Sequence, residues 1–239
     1  MSSATAGVIC RFLTPEWLTA IGTIAASTIA LVIALFDPRG WWHRPTLQLE
    51  VNVRRPDAEK ASRSMRSTTA EGATRTFDIG WAYFFRLAIT NTGNAAARNV
   101  QIFLANVERV SGDSITKVDR FTPMNLKWSY LGIANRDSLL PDMPPVFCDF
   151  IHIGDPEARS ASGEDLPLVP AGDVVLCLDV EAASLNKAHL LEPGTYRFDL
   201  RLAAENAKPR SFRVKVWCPG KWFPDQQEMF DKGFRIEKL

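Results

Sequence analysis

The sequence lacks the features that usually mark a metal-binding or catalytic protein. Its four cysteines, Cys10, Cys148, Cys177 and Cys218, form no C-x-x-C pair, and it contains only three histidines. This scatter predicts neither a zinc site nor a disulfide framework. A glycine-rich phosphate loop, a G-x-S-x-G elbow and an H-E-x-x-H motif are absent too. We therefore expect no metal, no cofactor and no enzymatic activity.

An excess of charge of either sign is also missing. The formal net charge is +1, while hydrophobic residues make up 46% of the chain and charged residues 23%. These proportions are typical of a folded protein and exclude wholesale disorder. Because no global positive potential is present, binding to nucleic acid is not expected.

The longest stretch without a charged side chain runs from residue 17 to residue 36. About 20 helical residues at about 1.5 Å each extend roughly 30 Å, the thickness of a bilayer's hydrocarbon core. Trp17 begins the stretch, and Trp41 and Trp42 follow it, as aromatic residues do at membrane interfaces. Pro38 disfavours a helical conformation at Asp37. The sequence therefore predicts a short N-terminal segment (1–16), a transmembrane helix (17–36) and an interfacial linker (37–45).

Two alternatives to a membrane span are less consistent with the sequence. A cleaved signal peptide would begin with basic residues, but the first ten residues contain neither lysine nor arginine. A buried soluble helix would have to hide apolar residues on every face, which a small domain does poorly.

Arginines flank the apolar stretch unequally. Arg11 is the only basic residue before it, and Glu16 is an acidic one. Four arginines follow it: Arg39, Arg44, Arg54 and Arg55. The positive-inside rule then predicts a single-pass protein of the cell (inner) membrane, with its C-terminal domain in the cytoplasm and its N-terminus outside.

Small residues recur every four positions along the same stretch, at Gly22, Ala26, Ala30 and Ala34. Such spacing lets two helices approach closely in lipid, so this face could support a homo-oligomer. Alternatively, the pattern simply reflects how common alanine is in this chain and in membrane helices.

Residues 46–239 are dominated by alternation of apolar and polar side chains, the period of half-buried β-strands. The clearest runs begin at Leu47, Trp81, Val100, Val174, Tyr196 and Phe212. Six or more such strands need a second sheet to cover their apolar faces. The predicted fold class is therefore mainly β, an antiparallel sandwich behind one helix.

Three regions depart from this alternation. Residues 54–76 contain almost no large apolar side chains, which predicts a mobile loop. Pro224 and Gly233 bracket a predicted short helix at 224–232, before a last edge strand at 234–239. The strand topology of 105–170 stays open.

The run Phe85-Arg-Leu-Ala-Ile-Thr-Asn-Thr-Gly-Asn and the strand after it resemble the bacterial immunoglobulin-like modules called CARDB-like domains. The later Pro193-Gly-Thr-Tyr-Arg-Phe-Asp-Leu strand is similar to the closing half of that family. The resemblance covers 80 to 90 residues and implies an immunoglobulin-like β-sandwich that acts as a binding or spacer module. It implies no active site.

The densest polar cluster in the sequence, around Cys148 and His152, does not form a convincing proton-transfer pair. Four residues apart in a strand, these side chains lie about 13 Å from each other. Aromatic residues are better candidates for a binding surface, and we single out Trp128, Tyr130, Trp217 and Trp222.

Three functional hypotheses are compatible with this sequence. The first is a non-enzymatic, membrane-tethered interaction or sensing module that binds an unknown protein or small ligand through its sandwich. The second is a membrane effector whose helices oligomerise when a ligand binds. The third is an exported cell-envelope adhesion module with the opposite orientation.

Overall fold

The structure is a computed structural model, and it describes residues 15–36, 44–68, 72 and 74–239. The protein is mainly β, with 49% of the residues that the structure describes in strands. The chain divides after Arg44, and Pro45–Leu239 form one compact unit. Residues 1–14 and most of the predicted linker 37–45 lie outside the described residues.

The N-terminal helix runs from Pro15 to Phe36, 22 residues in all. Every described side chain of this helix, from residue 17 to residue 33, is exposed. Two of its polar side chains are satisfied internally, because the hydroxyls of Thr23 and Thr28 donate to the carbonyls four residues before them. In the part of the chain that the structure describes, no helix meets the requirements of length and hydropathy for a membrane span.

Two antiparallel sheets of seven strands make up the β domain. Sheet 1 contains β1 (Leu47–Val51), β2 (Ala58–Thr68), β3 (Thr74–Asn91), β7 (Lys127–Trp128), β9 (Val146–Gly154), β10 (Leu176–Leu178) and β11 (Leu190–Leu191). Its main path is β1-β3-β9-β10-β11, with β2 paired to β3 and β7 paired to β9.

Sheet 2 contains β4 (Ala97–Ser111), β5 (Ser114–Lys117), β6 (Met124–Asn125), β8 (Arg136–Leu139), β12 (Gly194–Ala204), β13 (Ala207–Cys218) and β14 (Arg235–Lys238). Its main path is β14-β13-β12-β4-β5, and both β6 and β8 pair with β4.

The two sheets bury their apolar faces against each other, which makes the domain a β-sandwich. Along β12, Tyr196, Phe198, Leu200 and Leu202 are at most 2% exposed, as their alternation with polar residues predicts. Phe198 meets Phe150 of sheet 1 edge to face, with ring centroids 5.1 Å apart. The predicted sandwich is therefore confirmed at the level of two packed antiparallel sheets.

Residues 54–76 differ from their prediction as a loop. Most of this range belongs to a long hairpin, in which β2 pairs with β3 from Ala58↔Phe85 to Thr68↔Thr74. The Ser, Thr and Arg residues that suggested a loop lie on a ribbon with little apolar burial. Such a ribbon is stabilised by backbone hydrogen bonds to β3, which cannot be inferred from amino-acid composition.

Near the C-terminus, a short helix (Gln226–Glu228) continues as a π-helical turn (Met229–Gly233) before β14. The Asp225 carboxylate caps this segment by accepting from the Glu228 backbone N–H at 2.9 Å. Any Cβ at Gly233 would lie 2.3 Å from the Met229 sulfur. A larger residue at this position would therefore require the Met229 side chain to shift.

Two of the three tyrosines have hydroxyls whose ionisation should make the stability of the sandwich depend on alkaline pH. Burial raises the pKa of both Tyr83 and Tyr196 to about 12, while their hydroxyls donate to backbone carbonyls. Because the folded pKa is higher than the unfolded value of about 10, this contribution to stability is complete below about pH 10 and is lost as the pH rises through about 12. In an ultraviolet titration, two phenols should therefore ionise near pH 12, together with unfolding.

Tyr196→Phe should remove one of these two phenols from the high-pH step, and Tyr83→Phe the other. Ionisation of either phenol at its ordinary pH in the folded protein would contradict the burial that the structure assigns to it.

Candidate functional site

A cluster of ionisable side chains lies on the outer face of sheet 1, and strand geometry explains how it forms. Ile151 and Ile153 point into the sandwich core, so His152 between them points to the opposite face. Cys177 likewise lies between two core leucines of β10. Since Cys177 and His152 are register partners in β10 and β9, their side chains are neighbours across the strands.

Residues 155–175, which we call the cover segment, pack against this cluster, since Glu164 contacts His152 and Val169 packs with Cys177. The Arg159 guanidinium is 5% exposed and donates to the carbonyls of Val169, Pro170 and Asp173, which holds the segment together. Gly163 takes a left-handed φ of +76° at the end of the short helix Arg159–Ser162. The chain then turns and places Glu164 against His152.

His152 has a polar partner at each ring nitrogen. Its Nδ1 lies 3.1 Å from Asp179 Oδ2, and its Nε2 lies 3.0 Å from Glu164 Oε1. The Arg63 guanidinium, from β2, also approaches Nε2 at 2.9 Å and forms an ion pair with Glu164. Lys127 Nζ lies 3.5 Å from Asp179 Oδ1. The cluster thus joins β2, β7, β9, the cover segment and the end of β10.

Opposite charges dominate the electrostatics of this cluster. Burial opposes the charged form of His152, but Asp179 outweighs it and raises the pKa of the imidazole well above its ordinary value. Burial likewise opposes ionisation of Glu164, yet its bonds to His152 and Arg63 lower the pKa of that carboxyl to about 2. Burial raises the pKa of the Cys177 thiol. Two buried carboxylates therefore hold a cationic imidazole and a guanidinium beside a neutral thiol.

The cluster is not arranged for nucleophilic catalysis. Cys177 is 1% exposed, and a raised thiol pKa keeps sulfur in its less nucleophilic form. Cys148, which the sequence pairs with His152 as a weak candidate, lies in the sandwich core and donates to the Lys127 carbonyl at 3.1 Å. The structure therefore separates these two residues, as the strand spacing indicates.

The same side chains have the composition of a metal-ligand set. One atom each from His152, Glu164 and Cys177 lie within 4.8 Å of one another. This group forms no sequence motif, because its members come from three elements and have no fixed spacing. The signal available in the sequence is the inward–outward parity of β9 and β10, which places His152 and Cys177 on the outer face.

Of the aromatic residues predicted as a binding surface, Trp128 requires correction. It is 1% exposed, and its indole N–H donates to the Val100 carbonyl at 3.2 Å. Trp128 is therefore a core residue. Tyr130, two positions later, is 86% exposed. The centroid of its ring lies 5.3 Å from the guanidinium carbon of Arg86.

The other two predicted residues lie at one end of the sandwich. Trp222 is partly buried against the core, with its ring 4.9 Å from that of Tyr83. Trp217 is half-buried on the outer face of sheet 2, where the Arg235 guanidinium lies 5.2 Å from its ring centroid. Trp217 lines an open groove of about 630 Å³, with Val53, Val110, Gly112, Thr195, Lys215, Arg235, Ile236 and Glu237.

The Trp217 groove offers apolar area beside charged groups. Its lining combines the indole, Val110 and Ile236 with Lys215 and Glu237, which form an ion pair at 3.3 Å. Aromatic and arginine side chains together are typical of protein interaction surfaces.

The chain matches no model of a known protein family, and no curated protein is significantly similar to it in sequence.

Proposed function

We propose that this protein is a non-enzymatic, membrane-tethered interaction or sensing module, whose helix attaches to the cell (inner) membrane and whose sandwich binds a protein or small ligand. The observation that carries the proposal is the exposure of the N-terminal helix. Its large apolar side chains, from Trp17 to Ile33, are 47–67% exposed. Apolar surface of this extent needs a non-aqueous partner, since each buried square ångström gains about 25 cal/mol.

Lipid suits this helix better than a protein groove does. Residues 17–36 contain no charged side chain on any face of the helix, whereas a groove-binding helix would keep a charged face toward water. Thr23 and Thr28 satisfy their hydroxyls within the helix, as polar side chains in an apolar solvent must.

The orientation and the finer fold assignment belong to the same proposal. The arginines after the helix favour a cytoplasmic sandwich. An immunoglobulin-like, CARDB-like fold is supported by the turn at Asn91, which is 2% exposed. Its carboxamide accepts from the backbone of Thr46 and Gly93 and donates to the carbonyls of Ala95 and Leu139. The Asn-x-Gly turn thereby links two strand ends.

The Trp217 groove is the surface that best supports a binding role. It is open, it contains an aromatic residue predicted from the sequence, and Arg235 stacks on that residue. The His152 cluster, in contrast, is covered and holds a neutral thiol, which supports the non-enzymatic part of the proposal.

Membrane fractionation of the full-length chain tests the proposal directly. We expect the protein in the membrane pellet, extracted by detergent but not by alkaline carbonate. Changing Ile21, Ile24, Ile29 and Ile33 to serine should move it to the supernatant, and changing the same four residues to leucine should not. Recovery of the unprocessed wild-type chain in the supernatant would refute membrane attachment.

Reporter fusions at the C-terminus test the orientation. A fluorescent protein should be active there and alkaline phosphatase inactive, since the latter folds only outside the reducing cytoplasm. The reverse result would contradict the cytoplasmic sandwich and favour the exported adhesion module.

A further inference from the structure

We propose that His152, Glu164 and Cys177 form a binding site for a zinc-like divalent transition metal, held by one nitrogen, one oxygen and one sulfur donor. The site lies within the sandwich domain and does not depend on membrane attachment.

The three donor atoms lie close to the spacing that a metal ion requires. A tetrahedral zinc site places its ligand atoms about 2.0–2.3 Å from the metal, hence roughly 3.3–3.8 Å from each other. The three donor atoms here lie within 4.8 Å of one another. Small side-chain rotations would therefore bring them to coordination distance. A mixed set of imidazole, carboxylate and thiolate favours zinc or cobalt over magnesium or calcium.

Asp179 orients the imidazole of the proposed site. Asp179 Oδ2 lies 3.1 Å from His152 Nδ1, so the carboxylate fixes the ring and directs Nε2 toward Glu164. Metal-binding histidines are commonly oriented in this way, by a carboxylate that accepts from the nitrogen that does not bind the metal. Asp179 is thus a positioning residue of the site.

Arg63 contacts two of the three proposed ligands. Its guanidinium contacts both Nε2 of His152 and the Glu164 carboxylate, where the metal ion would contact the same atoms. Nε2 cannot satisfy both neighbours, because it would have to accept from Arg63 and donate to Glu164. Arg63 Nε is also buried without a hydrogen-bond partner among the described residues. Arg63 therefore acts as an internal cation that a metal ion would displace.

Charge balance is consistent with this exchange. Binding of a divalent ion would expel the guanidinium and release one proton from the imidazole and one from the Cys177 thiol, since ligands bind in their deprotonated forms. The two carboxylates and the new thiolate would then carry three negative charges, which balance the divalent ion and the ammonium group of Lys127.

The test uses the full-length chain in detergent, stripped with a chelator and dialysed against Zn²⁺ or Co²⁺. We expect one Zn²⁺ per chain, and with Co²⁺ the charge-transfer absorption of a sulfur ligand and the intense visible bands of tetrahedral cobalt. Cys177→Ser should abolish the sulfur band, while Cys148→Ser and Cys218→Ser, which change buried thiols elsewhere, should retain it. Asp179→Asn should weaken binding about 10–100-fold.

Arg63→Ala gives the decisive result, because a misfolded protein would not gain affinity. Removal of the competing cation should tighten Zn²⁺ binding by tenfold or more, and Glu164→Gln should reverse that gain. The proposal is overturned if the stripped protein takes up no stoichiometric metal. It is equally overturned if metal binds but Cys177→Ser and Arg63→Ala leave the sulfur band and the affinity unchanged, which would leave the cluster as an ion-pair network only.

Discussion

Replacing Glu164 with leucine should destabilise the chelator-treated protein by about 3–5 kcal/mol, the cost of breaking one partner of a buried ion pair. Glu164 and Arg63 have side chains 11% and 9% exposed. The variant would leave the Arg63 guanidinium buried against His152 without its carboxylate partner. The shift of the urea unfolding midpoint, at an unchanged slope, measures the loss.

A matched control and a double variant distinguish the ion pair from the change in side-chain volume. Glu157→Leu makes the same substitution at an exposed position of the cover segment and should change stability by about 0.5 kcal/mol or less. Arg63→Met combined with Glu164→Leu should recover much of the loss, since it removes both buried charges. If the double variant is as unstable as the sum of the two single variants, the pair is not coupled and the assigned cluster is wrong.

The strands of the sandwich could be predicted because their signal is local. In β12, alternate side chains from Tyr196 to Leu202 face the core, and Arg197, Asp199 and Arg201 face outward. One face of each strand is buried in the core, so apolar and polar residues alternate along the sequence of the strand. The turn at Asn91 was readable for the same reason, since its side chain bonds to the backbone nearby.

The hairpin of β2 and β3 could not be read in this way. β2 pairs with β3 alone, and of its side chains only that of Ala58 is buried among those described. A strand that gains little from burial carries no alternation, and its partner determines its conformation. Composition alone therefore predicted a loop where backbone pairing forms a ribbon.

The His152 cluster was hidden from sequence reasoning by long-range assembly. Arg63 lies 89 residues from His152 along the chain, and Asp179 lies 27 residues beyond it. Each residue is unremarkable among its sequence neighbours. Only the register of β9 with β10 and the return of the cover segment bring the side chains together.

Trp128→Ala should destabilise the sandwich by about 3–5 kcal/mol, while Tyr130→Ala should cost about 0.5 kcal/mol or less. Trp128 is fully buried between the sheets, so truncation leaves a large cavity and removes the hydrogen bond to the Val100 carbonyl. Tyr130 is 86% exposed, and its removal exposes no core surface. Both aromatic residues were predicted as one binding surface, because the short strand β7 carries too few residues to show alternation.

Unfolding midpoints of the two variants, with Trp128→Phe as an intermediate case, measure this difference. Trp128→Phe keeps an aromatic ring but loses indole volume and the N–H donor. Its loss of stability should therefore lie between those of Trp128→Ala and Tyr130→Ala. Equal losses for Trp128→Ala and Tyr130→Ala would show that burial does not separate the residues. In a binding assay, only Tyr130→Ala can report on a surface role, because its fold should stay intact, whereas any loss of binding by Trp128→Ala would follow from unfolding of the β7–β9 region.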